Sequence, residues 1–239
     1  MSDFVQLWVY LSSTPLFGLT ATICVYVVVH AVHERLGRAP WANPVLWSVV
    51  CLGAVLVATR TPYPGYFAGA QFVHFLLGPA VVALAWPLWQ RRAEVRQRLV
   101  ALNVAALAGG AAAAGSALAL ACALDLPAEV TRSLLPKSVT APVAMGIAER
   151  IGGVPALAAV FAVLTGMVGA LSAKYLFDGI GVRDWAVRGF ALGTASHGIG
   201  AARALQVDAD AGAYAGIALG LQVLWASMLM PLVAAFVLA

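Results

Sequence analysis

Charge is what this chain has least of. Only 10% of its 239 residues are Asp, Glu, Lys or Arg, and 62% are hydrophobic. A soluble domain carries roughly 25% charged residues. The composition therefore excludes a soluble globular protein and points to an integral membrane protein. Also lacking is the alternation of apolar and polar residues over ~10-residue segments that an outer-membrane barrel requires. The apolar period is helical throughout. Cysteine is scarce. Cys24, Cys51 and Cys122 are scattered in apolar runs, with no CxxC spacing and no histidine at ligand spacing. That pattern gives neither a disulfide framework nor a metal site, and the three are expected to be small buried packing residues. The sequence has no GxSxG, HExxH or P-loop pattern, so no enzyme is expected and no cofactor is implied. Asp208 and Asp210 lack calcium-loop spacing. No basic stretch precedes the first apolar run after Met1-Ser2-Asp3-Phe4, so no cleavable signal peptide is expected. The net charge of +4 does not indicate nucleic-acid binding. The basic residues sit mostly in short loops at segment ends, as the positive-inside rule describes.

A membrane-spanning helix needs about 20 apolar residues. By that measure there are eight hydrophobic segments, near 7–32, 43–59, 70–89, 99–123, 128–148, 153–177, 186–205 and 212–238. Short connections make the chain a single transmembrane domain over 1–239, all-α and polytopic. The third segment carries Pro79 and Pro87 and is a candidate for a break. Arg91, Arg92, Arg96 and Arg98, together with Arg35 and Arg38, mark two loops as cytoplasmic, which puts the N-terminus outside. The loop at Lys174, Arg183 and Arg188 is also basic, yet eight full crossings would place it outside. A re-entrant or broken segment five or seven would change that parity. Tyr63, Tyr66 and Phe67, with Pro62, Pro64 and Gly65, read as an aromatic interfacial turn. Gly109, Gly110 and Gly115 suggest close helix packing, and Asn103, His30 and His74 read as structural. Leu76-Leu77-Gly78-Pro79-Ala80-Val81 echoes Leu134-Leu135-Pro136-Lys137-Ser138-Val139. A structural repeat, inverted or not, and chance similarity in an alanine-rich chain both remain open.

Two segments place ionisable and hydroxyl residues beside helix breakers at membrane depth, where such groups are costly and mark candidate sites. One runs Pro136-Lys137-Ser138-Val139-Thr140-Ala141-Pro142. A break there frees amide groups, and a helix starting there points its positive end at an anion. Lys137 is then either the cation of an anion cradle or a side chain snorkelling to an interface. The other runs Gly193-Thr194-Ala195-Ser196-His197-Gly198-Ile199-Gly200. His197 is either a hydrogen-bonded core residue or one that binds a carboxylate or carries a proton. Arg203 either guides anions or anchors the segment end. Glu149 and Arg150 read as a solvated loop pair. Both segments are expected to be discontinuous, near Lys137–Pro142 and Ser196–Gly200. The candidate substrate-binding set is Lys137, Ser138, Thr140, Pro142, Thr194, Ser196, His197, Gly198 and Arg203. Paired broken segments of this kind are a transporter feature.

These stretches resemble the signatures of the LrgB/CidB family. They include Leu135 to Ala144, Ile151-Gly152-Gly153-Val154-Pro155-Ala156, and Gly193 to Gly200, with Gly78 to Ala85 also similar. Two departures are Ala141 and Ala201, at positions commonly threonine in that family. The resemblance implies a bacterial inner-membrane protein that pairs with a small LrgA/CidA-like subunit. It implies either a carrier of small monocarboxylates such as pyruvate, lactate or glycolate, or a holin- or antiholin-like modulator of murein hydrolase export and autolysis. A homodimer is the alternative assembly. The pattern of broken, cation-bearing segments favours the carrier, since a holin needs amphipathic pore-lining helices instead.

Overall fold

A computed structural model describes residues 15–237, apart from 77, 78, 80, 81, 84 and 91. The described residues form helices and no strand, as an all-α polytopic membrane protein requires. Among the described residues, four helices are long and apolar enough to cross a membrane. The chain divides into two compact units at Ala83/Leu84.

In the first unit, α1 (Pro15–Arg35) leads through a 3-10 turn (Pro40–Ala42) into α2 (Pro44–Ala58), and α3 (Tyr63–Phe75) packs on α1. Asn43 caps α2, its Oδ1 accepting from the amides of Val45 at 2.9 Å and Leu46 at 3.1 Å. Such a cap satisfies first-turn donors that a helix cannot pair itself. Thr22 Oγ1 donates to the Gly18 carbonyl at 2.7 Å. Its proton is thus committed, and Tyr66 OH donates to the same oxygen at 2.7 Å. Tyr63, Tyr66 and Phe67 belong to the first turns of α3 rather than to a turn, with Tyr63 stacked on Phe67. The proline at 64 is why: a first turn needs no amide there, so Pro initiates the helix instead of bending the chain away. The break expected around Pro79 lies largely outside the described residues.

The second unit begins with α4 (Ala85–Gln90) and α5 (Arg92–Gln97), followed by α6 (Leu99–Ala123). At 25 residues, α6 spans about 37 Å, more than the roughly 30 Å hydrocarbon core. Next come α7 (Ala128–Leu134), a non-helical stretch over 135–140, and α8 (Ala141–Arg150). Then α9 (Pro155–Gly179) crosses fully, α10 (Trp185–Val207) carries an internal break at His197, and α11 (Ala209–Val237) closes the fold. Segments five and seven are therefore both discontinuous, at the expected places.

Both broken segments also double back. Ser133, at the end of α7, donates its hydroxyl to the Glu129 carbonyl at 2.6 Å and accepts from the amide of Val154 at 2.7 Å. Val154 caps the N-terminus of α9. Residues 134–153 thus leave and return to the same end of α9, going in as irregular chain and coming back as α8. In α10, a Cβ at Gly200 would stand 2.7 Å from the Leu192 carbonyl oxygen. A straight helix would hold those residues about 12 Å apart. The arm 185–196 runs parallel to α11, with Gly189 and Gly193 seated on the Ala211 and Ala215 backbones in matching register. The arm 198–207 runs back, with Leu205 against Gly212. Each arm of α10 measures roughly 15–18 Å, half a bilayer core.

Because α9 crosses between them, the two re-entrant segments open to opposite faces. Segment five then adds no crossing, and α6 and α9 together return the chain to its starting face. Lys174, Arg183 and Arg188 therefore share a face with Arg92, Arg96 and Arg98. That removes the parity conflict in the basic loops.

Two packing expectations differ from the structure and a third holds. Cys24 and Cys122 are exposed and Cys51 is half-buried, so they lie on outward helix faces, where lipid rather than protein solvates a small apolar thiol. Gly109 and Gly110 do receive close neighbours, Thr194 and Gln222, but nothing approaches Gly115, because it lies on the outward face of α6. Asn103 is structural as expected. Its Nδ2 donates to Leu99 and its Oδ1 accepts from Trp225 Nε1 at 3.0 Å.

Candidate functional site

The two re-entrant tips meet. A Cβ at Gly198 would lie 3.7 Å from the Thr140 methyl carbon. Two half-helices begin at this point, α8 after Thr140 and the returning arm of α10 after His197. The first amides of each have no partner within their own helix and carry the positive end of its dipole. Pro142 sits in the first turn of α8, where its missing N–H leaves nothing unpaired. It starts the second half-helix rather than interrupting one. The break belongs to Pro136, which is fully buried.

Depth is set by α9. His197 Nε2 lies 2.7 Å from the Ala162 carbonyl oxygen. A carbonyl only accepts, so this nitrogen carries the hydrogen. A Cβ at Gly166 would lie 2.9 Å from the ring atoms Cε1 and Nε2. Gly166 is about 16 Å along a helix of about 37 Å, so the tip stands near the middle of α9. His197 holds φ +42° and ψ −134°, a region that glycine alone visits freely and that costs about 1–3 kcal/mol for other residues.

Ser138 is 7% exposed, and its Oγ is buried with no hydrogen-bond partner. Such an orphan hydroxyl costs about 1–3 kcal/mol of desolvation, which a ligand would recover. Lys137 is half-buried. Among the described residues its ammonium has no ion pair or hydrogen bond. Thr140 provides no side-chain cap to α8, and it is its methyl carbon that faces Gly198.

The remaining candidates do other work. Thr194 Oγ1 donates to the Phe190 carbonyl at 2.9 Å, and its methyl fills the space over Gly109. Ser196 is 1% exposed and packs its hydroxyl against Gly169 of α9. Arg203 is buried and already engaged in an interaction of its own. Glu149 and Arg150 are exposed at the end of α8. The structure places Lys137, Ser138 and Thr140 in one tip and His197 and Gly198 in the other, with Thr140 against Gly198. It turns Thr194 and Ser196 into the helix packing that supports them.

Sequence reasoning missed the supports. Gly166 and Gly169 let the α10 tip press onto α9; their spacing in an apolar run is the small-residue signal of close helix contact. Arg188, 8% exposed, anchors the base of α10. It pairs with Asp178 at 2.5 Å, donates to the Val182 carbonyl at 2.7 Å and lies over the Trp185 ring. Gln222 ties α11 to α6 through the Ala106 carbonyl at 2.6 Å.

The LrgB-like family model matches residues 22–236. The chain belongs to the LrgB-like family. Among its relatives, the uncharacterized protein YxaC of Bacillus subtilis is 32% identical over 212 residues, covering 89% of this chain and 92% of YxaC. An uncharacterized protein of Haemophilus influenzae is 33% identical over 192 residues, covering 80% and 83%. The holin-like protein CidB of Staphylococcus epidermidis is 28% identical over 210 residues, covering 88% and 91%. No solved structure matches the chain. This LrgB-like protein is thus a multi-pass membrane protein whose two tips come from the segments that carry the family resemblance.

Proposed function

We propose that this protein is a carrier for small monocarboxylates such as pyruvate, lactate or glycolate, working by alternating access. The observation that supports it best is the meeting of two re-entrant tips that open to opposite faces. They carry the unpartnered Ser138 hydroxyl, the uncommitted Lys137 ammonium and two half-helix starts. A carboxylate needs donors and positive charge of this kind at low dielectric. Each tip also offers its own face a short path to the centre, as alternating access requires. Lys137 offsets the substrate charge, while Ser138, Thr140 and the first amides of the half-helices bind the carboxylate oxygens. No bond is made or broken, so the protein is not an enzyme. It resides in the bacterial inner membrane, with the Arg92–Arg98 face cytoplasmic, and assembles with a small LrgA/CidA-like subunit or as a homodimer.

The rival reading is a holin-like regulator of murein hydrolase export. It is favoured by the name of the Staphylococcus relatives, holin-like protein CidB. Purified protein in liposomes separates the two. A carrier takes up labelled pyruvate or glycolate saturably while the vesicles retain a trapped dye. A holin-like protein releases the dye and shows no saturable uptake.

A further inference from the structure

His197 is the strained residue at the centre of the proposed site, yet its ring is turned onto α9. Its Nε2–H is spent on the Ala162 carbonyl at 2.7 Å, and the ring edge occupies the space over Gly166. Ile199 fills the rest of that space, where a Cβ at Gly166 would lie 2.9 Å from the Ile199 Cβ. The hydrogen is on Nε2 in both the neutral and the protonated ring when it faces a carbonyl, so the contact needs no charge. The backbone at His197 is in a conformation with φ +42° that an L residue leaves unless held. Gly198, which touches Thr140 of the opposite tip, is the next residue. The torsion that strains His197 therefore also sets where Gly198 lies.

We infer that His197 is a positioning residue, a latch whose side chain, bonded to α9, holds the α10 tip in a strained shape against the other tip. Releasing the latch lets the torsion relax and moves Gly198 away from Thr140. That local step opens the site toward the face from which α10 enters. The inference rests on the reading of the tips as the substrate site, but the latch itself exists without substrate. It gives the histidine a role distinct from binding the carboxylate or carrying its proton.

Amide hydrogen exchange on the full-length protein in nanodiscs, read in peptides covering 192–202 with α6 peptides as an internal control, tests it without any transport. His197→Ala loses the bond and keeps the strain, so exchange at the tip rises about tenfold, the effect of one lost hydrogen bond. His197→Gly loses the bond but removes the strain, and exchange rises less. His197→Gln can reach the Ala162 carbonyl with its own amide and restores protection. Gly166→Ala pushes the ring off α9 and behaves like His197→Ala while leaving the histidine present. Unchanged tip exchange in both His197→Ala and Gly166→Ala overturns the latch. So does equal exchange in the alanine and glycine variants, or a failure of glutamine to rescue. Liposome uptake by the parent protein is measured separately. If the parent takes up no monocarboxylate, the carrier reading fails while the exchange result still decides the latch.

Discussion

Ser133 and Ser138 lie five residues apart, and both are buried, yet their hydroxyls have opposite fates. Ser133 is bonded on both sides, tying α7 to the start of α9. Ser138 has no partner. A bonded hydroxyl should act on stability and an orphan one on ligand binding. Ser133→Ala is expected to cost about 1–3 kcal/mol, because it leaves the Val154 amide unpaired. Ser138→Ala is expected to leave the melting temperature unchanged or raise it, since it removes an unsatisfied buried group, while weakening pyruvate uptake severalfold. Lys137→Met should abolish uptake with no loss of fold, because no ion pair is broken. Thermal unfolding in detergent and liposome uptake on the same preparations check all three. A drop in stability for Ser138→Ala without loss of uptake would make that residue structural. The sequence made both the lysine and the serine visible, as polar residues in an apolar run. It could not show that Thr194 and Ser196 face inward to Gly109 and Gly169. Those neighbours lie 25 residues or more away along the chain, and no local pattern encodes them.

At the scale of the element, breakers fix where a helix stops but not the angle at which the chain resumes. Pro136 and the Gly198–Gly200 stretch announced both discontinuities. That each segment reverses, instead of kinking and continuing, depends on tertiary seats: Ser133 on Val154 for one, and Gly189 and Gly193 on α11 for the other. Those seats admit a direct comparison between glycines of the same apolar character. At Gly169 a Cβ would collide with Ser196, whereas at Gly115 on the outer face of α6 nothing lies within reach. Gly169→Leu is expected to overpack the α9–α10 contact and destabilise by about 1–3 kcal/mol or more. Gly115→Leu is expected to be neutral within about 0.5 kcal/mol. Equal melting temperatures for the two variants would mean that the α10 hairpin is not seated on α9.

For the molecule as a whole, the number of crossings follows from counting reversals, not hydrophobic segments. Hydropathy counted 128–148 and 186–205 as segments, yet neither is among the four helices long and apolar enough to cross a membrane, because their breaks carry ionisable and hydroxyl residues. The basic loops carried the correction: Arg92, Arg96 and Arg98 and the Lys174–Arg188 region fit one cytoplasmic face only if segment five re-enters. Each re-entrant segment brings its two ends to a single face, so among the described residues of the second unit α6, α9 and α11 are the helices that cross fully. Single cysteines placed in a background lacking Cys24, Cys51 and Cys122 test this. Substitutions at Arg96 and Arg183 should react with a membrane-impermeant thiol reagent only from the cytoplasmic side. Substitutions at Asp125 and Glu149 should react only from the opposite side, since α6 ends and α9 begins there. All four positions are exposed, so failure to react from either side would not arise from burial in the protein. If Arg183 and Arg96 were labelled from opposite sides, segment five would cross fully. The two tips would then no longer open to different faces, and the access path that the carrier reading depends on would be lost with them.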